Sequence, residues 1–85
     1  MSLHNQTTKL VYKMKTVVQY IVTLKVNTGG PPEYVSWSNY GRSGLIDAVE
    51  SVDWDVSRGY AFNGRVDHVL PSGACVPVYE RNSNV

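Results

Sequence analysis

The feature that most limits how this chain can fold is the abrupt stop after its first apolar stretch. Between Val17 and Val26 the side chains alternate. Val18, Tyr20, Val22, Leu24 and Val26 fall on one face of an extended strand; Gln19, Thr23 and Lys25 fall on the other, with Val17 and Ile21. Asn27-Thr28-Gly29-Gly30-Pro31-Pro32 then ends the run, because two glycines and two prolines cannot extend a ladder. Glu33 to Tyr40 alternates again, with Val35 and Trp37 on one face and Tyr34, Ser36, Ser38 and Tyr40 on the other. So short a connection predicts an antiparallel hairpin.

Gly41-Arg42-Ser43-Gly44 breaks this second strand, and Ser43 reads as a helix N-cap. Leu45, Val49, Val52 and Val56 recur at helical spacing and predict a core-facing stripe. The helix should run to about Ser57 and end with Gly59 at C′. Extended structure returns from Tyr60 to Leu70. Asn63-Gly64 is a candidate tight turn there, and Arg65 to Leu70 is the preferred strand. Pro71-Ser72-Gly73 is the next turn. Ala74 to Glu80 reads as a short edge strand, since Pro77 excludes a central one. The expected fold is α+β: an antiparallel sheet with one helix packed on one face, in the order β-β-α-β with a final β optional. Residues 1–85 make one small domain, with 1–8 and 81–85 expected to be loose.

Composition agrees with this class. Valine fills 14 of the 85 positions, which favours strands. A 42% apolar and 18% charged chain is globular rather than disordered. No apolar run is long enough for a membrane helix, and Lys9, Lys13 and Lys15 interrupt the apolar stretch nearest the N-terminus, so no secretory signal is read there. With one cysteine and therefore no disulfide framework, the expected location is a reducing cytoplasm, the host bacterial cytoplasm if the chain is phage-encoded.

The residues offer little for catalysis or metal binding, and no enzyme activity, metal or cofactor is expected. Cys75 pairs by composition only with His4 or His68 and has no flanking signature; it reads as a small, partly buried thiol in an edge strand. His68 reads as a sheet-face histidine, because a metal site needs three or four converging donors. Asp47, Glu50, Asp53 and Asp55 read as a solvated acidic helix face. Gly41 to Gly44 reads as a turn and cap, lacking the Lys-Ser/Thr ending of a phosphate loop.

Charge is uneven along the chain. Residues 1–32 hold Lys9, Lys13, Lys15 and Lys25 and no acid, whereas residues 33–85 hold four arginines against seven acids. The lysines, interleaved with Tyr12 and Tyr20, are the candidate contacts of an alternative reading as a small nucleic-acid-binding protein. Solvated strand edges account for them as well. The most informative single residue is Trp54. It lies nine positions after Leu45, about 180° away at 100° per residue, and shares the outer helix face with Asp47, Glu50, Ser51 and Arg58. An indole framed by acids suits a hot spot for a basic partner surface; the alternative is that N-terminal residues such as Leu10-Val11-Tyr12 fold over it.

The run Leu45-Ile46-Asp47-Ala48-Val49-Glu50, then Trp54, Gly59-Tyr60, Arg65-Val66 and Pro71, resembles the small inhibitors of bacterial RNA polymerase encoded by podophages, over about residues 17–71. The resemblance implies a compact β-β-α-β protein without catalytic activity that binds a larger host protein, the polymerase. It also implies a binding role for Arg65, which matches the first of two arginines on that family's third strand; Asp67 stands at the second. The expected function is a non-enzymatic protein-interaction module, a phage host-takeover factor, with Trp54, Asp47, Glu50, Arg58 and Arg65 as partner contacts. Two other readings are kept: nucleic-acid binding, and a self-associating structural protein, a homodimer paired through the long first strand.

Overall fold

The computed structural model describes residues 18–83. They form β1 (Gln19–Val26), β2 (Glu33–Tyr40), α1 (Gly44–Ser57), β3 (Ala61–Val69) and β4 (Cys75–Asn82). The strands make one antiparallel sheet in the order β2-β1-β3-β4, and the one helix among the described residues crosses one face of it. This is the expected α+β class, with the optional last strand present. The expectations for residues 1–8 and for the N-terminal cover over Trp54 lie outside the described residues.

The β1–β2 hairpin pairs Val22 with Trp37 and Leu24 with Val35, so the apolar face of each strand points to the same side. On the far side of β1, Val22 pairs with Val66 and Leu24 with Gly64. β1 is therefore central, with both of its edges in use. The expected dimer through the first strand is thereby corrected: β1 has no free backbone groups to offer a second chain.

Val22, Leu24, Ala48, Val52, Val56, Ala61 and Val66 are buried, and Tyr20, Val26, Leu45, Val49 and Tyr79 pack around them. The helix buries Gly44, Ala48, Val52 and Val56 at i, i+4, i+8 and i+12. The expected stripe is thus rotated. Leu45 and Val49 flank the core, and the small residues Gly44 and Ala48 lie against the sheet. Small residues allow a close approach: a Cβ on Gly44 would sit 3.3 Å from the Tyr20 ring.

Gly64 is where this closeness is greatest. It is not the tight turn considered above; β3 runs through it without interruption. A Cβ here would stand 2.7 Å from both Leu24 Cδ2 and Val52 Cγ1. The missing side chain is what lets the middle of the helix settle on the two central strands.

The ends of the helix differ from each other. Ser43 precedes it with α-region backbone and no side-chain cap bond, so the expected Ser43 cap is not formed. The C-terminus closes as expected. Gly59 has φ +79, its N–H donates to Val56 C=O at 3.2 Å, and the Tyr60 N–H donates to Asp55 C=O at 2.9 Å, which together make a Schellman motif. The β3–β4 turn falls at Pro71-Ser72-Gly73, with the Gly73 N–H donating to Leu70 C=O at 2.8 Å. β4 continues past Glu80 through Arg81 and Asn82, residues expected to be loose; pairing with Gly64 and Asn63 holds them.

Replacing Gly64 with alanine should lower the stability to urea by about 1–3 kcal/mol through overpacking. Adding Val52→Ala in the same chain should cost less than the sum of the single changes, because the colliding γ-methyls are then gone. Val22→Ala and Val52→Ala alone should each cost about 1–3 kcal/mol, and Val49→Ala less. A Gly64→Ala midpoint equal to that of the parent would show that helix and sheet are not in this contact.

Candidate functional site

Asp47, Glu50, Trp54 and Arg58 recur at i, i+3, i+7 and i+11 and form a ridge along the outer side of α1, as the helical period requires. All four are exposed. Trp54 keeps 55% of its surface in solvent. It is not bare, however: the Arg58 guanidinium lies 3.5 Å from its ring centroid, one turn further along. One ring face is thereby covered by the guanidinium, with the rest of the indole open. Ile46, 60% exposed, flanks the ridge beside Glu50 and adds apolar surface. Sequence reasoning passed over Ile46 by treating only Trp54 as out of place. The signal was there, since Ile46 follows Leu45 by one residue and so lies about 100° from the first residue of the expected stripe.

The ridge is mainly acidic. The exposed carboxylates are those of Asp47 and Glu50, whereas Asp53 is engaged at the flank. Tyr79 of β4 donates its hydroxyl to Asp53, and Arg81 Nη1 lies 3.2 Å from the same carboxylate oxygen. The Tyr79 hydrogen bond holds the Asp53 carboxyl below its ordinary pKa; partial desolvation opposes this and Arg81 adds to it. The same hydrogen bond, with desolvation and the Asp53 charge, pushes the Tyr79 hydroxyl up. The expected solvated face of four acids is thus divided, with Asp53 serving as a tie between helix and edge strand.

Arg65, the fifth expected partner contact, is in a different layer. β3 residues alternate faces, and Arg65 lies on the side of the sheet away from the helix. Its Nε sits 3.0 Å from Asp67 Oδ2, with the Asp67 side chain buried and that of Arg65 half-exposed. The structure therefore gathers Asp47, Glu50, Trp54 and Arg58 and separates Arg65 from them. Asp67 is the residue that engages the Arg65 guanidinium.

Of the lysines in the nucleic-acid alternative, Lys25 is on the outer sheet face, partly buried, opposite Tyr34 and Asn63. Lys9, Lys13 and Lys15 lie outside the described residues. His68 stacks on Tyr20 with ring centroids 5.2 Å apart on the helix side of the sheet. Cys75 is exposed rather than partly buried, because it opens the edge strand where nothing among the described residues covers it. Among the described residues no group of three His, Cys, Asp or Glu side chains is placed to hold a metal. No described helix is long and apolar enough to cross a membrane. No protein-family model, curated protein or solved structure matches this chain.

The tie at Asp53 predicts a pH signature with two arms. A lowered carboxyl pKa contributes stability that is complete above the ordinary value of 3.8 and is lost as pH falls through the folded value. A raised phenol pKa contributes stability that is complete below the ordinary value of 10.0 and is lost as pH rises through the folded value. Tyr79→Phe should remove the alkaline arm and shrink the acid arm, which Arg81 still supports. Urea midpoints measured across pH should show this, and an unchanged alkaline arm in Tyr79→Phe would rule out the bond.

Proposed function

We propose that this protein is a non-enzymatic interaction module that docks the outer ridge of α1 on a basic surface of a larger protein. The observation that carries this reading is Trp54: a large indole on the solvent side of the only described helix, covered on one face by Arg58 and bordered by Asp47 and Glu50. Holding a tryptophan there adds nothing to the core. It does present rigid contact area with a donor N–H. The acids steer a basic partner and repel nucleic acid.

The more specific form of the proposal is a phage host-takeover factor acting on bacterial RNA polymerase in the host cytoplasm. Its support is the sequence resemblance over residues 17–71, together with the shared β-β-α-β order. In this reading the helix ridge carries binding. Arg65 contributes less than the resemblance implies, since its guanidinium is already engaged by Asp67.

Trp54→Ala should leave the urea midpoint nearly unchanged and weaken the complex with the larger protein by about 2 kcal/mol or more. Glu50→Lys should mainly slow association, most at low salt. Binding to purified bacterial RNA polymerase, measured with the parent chain and both variants, tests the specific form. Capture from bacterial lysate followed by mass spectrometry tests the general one. A Trp54→Ala chain that loses stability yet retains every captured partner would end both.

A further inference from the structure

The two edges of the sheet are built differently. In β4 the edge is blunted. The Leu70 N–H donates to Ala74 C=O, which sets the alternation so that Cys75 and Pro77 turn their backbone away from β3; Pro77 therefore has no N–H where the edge would present one. The register then shifts between Val66 and Asp67, making Val78 the extra residue of a bulge, and the charged Glu80 and Arg81 follow. These are devices that keep a strand edge from pairing with another chain.

β2 lacks the proline and the bulge, and its one charged residue, Glu33, stands at its very start. Its eight residues, Glu33 to Tyr40, pair with β1 without a register shift, and they include no proline and no lysine. The Gly41 N–H donates to Val18 C=O at 2.9 Å, so the residues of β2 bonded to β1 are Glu33, Val35, Trp37 and Asn39. The N–H and C=O groups of Tyr34, Ser36, Ser38 and Tyr40 point to the outer edge, where no strand among the described residues pairs with them. The strand is also rich in exposed aromatics: Tyr34 is 70% exposed, Tyr40 58% and Trp37 37%.

We infer that the β2 edge is an interface between two copies of this chain, paired antiparallel about a two-fold axis at Trp37. Antiparallel pairing sets residues of the same face opposite each other, so the register must centre on a residue. Centring on Trp37 places Tyr34 opposite the partner's Tyr40, Ser36 opposite its Ser38, and the two Trp37 side chains beside each other. Every outward-facing backbone group of β2 is then used, in about eight hydrogen bonds. Aromatics meet aromatics and serines meet serines, the cross-strand pairs that stabilise sheets. The strand is also self-complementary in charge. Glu33 is at one end and Arg42 just past the other, so antiparallel pairing brings each to the opposite charge of the other copy. The helix contacts mainly β3 and β1, which leaves room for two helices on the joined sheet.

The test is sedimentation of the whole chain over a wide concentration range. The parent chain should show a monomer–dimer equilibrium. Ser36→Pro removes an outward N–H without touching a bond to β1, and should be monomeric at concentrations where the parent is dimeric, with its circular dichroism retained. Because proline can disturb a strand, a second pair keeps the idea testable. Ser36→Lys with Ser38→Lys, and Ser36→Glu with Ser38→Glu, should each be monomeric alone and dimeric when mixed. For the register, Trp37→Cys on a Cys75→Ser background should oxidise to a covalent dimer, since directly opposed non-bonded positions fall within disulfide reach, and Ser36→Cys should not. A parent chain that is monomeric throughout, or a dimer that persists in both double variants, would overturn the proposal, the first outcome leaving the edge to a strand from another protein.

Discussion

The contact on which the rest of the molecule depends is Val52 of the helix lying over Gly64 and beside Leu24. There is no space for even one carbon between them. Because Gly64 lacks a side chain, α1 seats directly on β1 and β3, the two strands that need cover most. Val22, Leu24 and Val66 are sealed under Ala48, Val52 and Val56. A larger residue at 64 would lift the helix and open the space over this small core, where a gap of one methyl is already felt. The same seating fixes what is left outside. With its buried stripe set by Ala48, Val52 and Val56, the helix must turn Asp47, Glu50, Trp54 and Arg58 to solvent.

The centred helix also leaves both edge strands to find their own support, and they find it differently. β4 is tied to the helix by the Tyr79 and Arg81 contacts with Asp53, and it is protected along its outer side by Pro77 and the bulge at Val78. β2 has its hairpin with β1, a hydrogen bond from Gln19 to Ser38, and the Asn39 side chain set against the start of the helix, with Tyr34 and Tyr40 largely in solvent. Among the described residues the sheet thus has one guarded edge and one unpaired edge, and a sheet that adds a strand on one side only favours a closed pair over an open fibre.

The strand alternation, the Gly-Gly-Pro-Pro stop, the Pro71 turn and the Gly59 cap were all legible in the sequence, because each rests on local backbone chemistry. The outward position of Trp54 was legible for the same reason: helical period alone decides it. What was not legible depended on packing between elements. Asn63-Gly64 has the composition of a tight turn, and only the helix lying over Gly64 shows that the glycine serves closeness instead. Leu45 and Val49 outrank Gly44 and Ala48 in hydrophobicity, yet the smaller residues face the sheet because the interlayer gap is narrow. Arg65 and Trp54 both looked like partner contacts. Their separation onto opposite layers follows from strand alternation in β3 combined with which face the helix covers, and the second of these is a tertiary fact. The openness of the β2 edge likewise required the strand order, which turned the long first strand into a central one.

The helix ridge and the β2 edge are physically independent, and joining two copies at the edge would still determine how the ridges are displayed. A two-fold axis through an antiparallel β2 pair runs perpendicular to the sheet, so it carries each helix to the same side of the joined sheet. Both Trp54 side chains would then face one way, held apart by rigid β-structure rather than by a flexible linker. A fixed spacing makes the second docking event depend on geometry: it is strongly favoured on a target with two matching basic sites at that separation and absent on one without. Selectivity for such a target would come from the distance between the ridges, while each ridge alone could remain a modest binder.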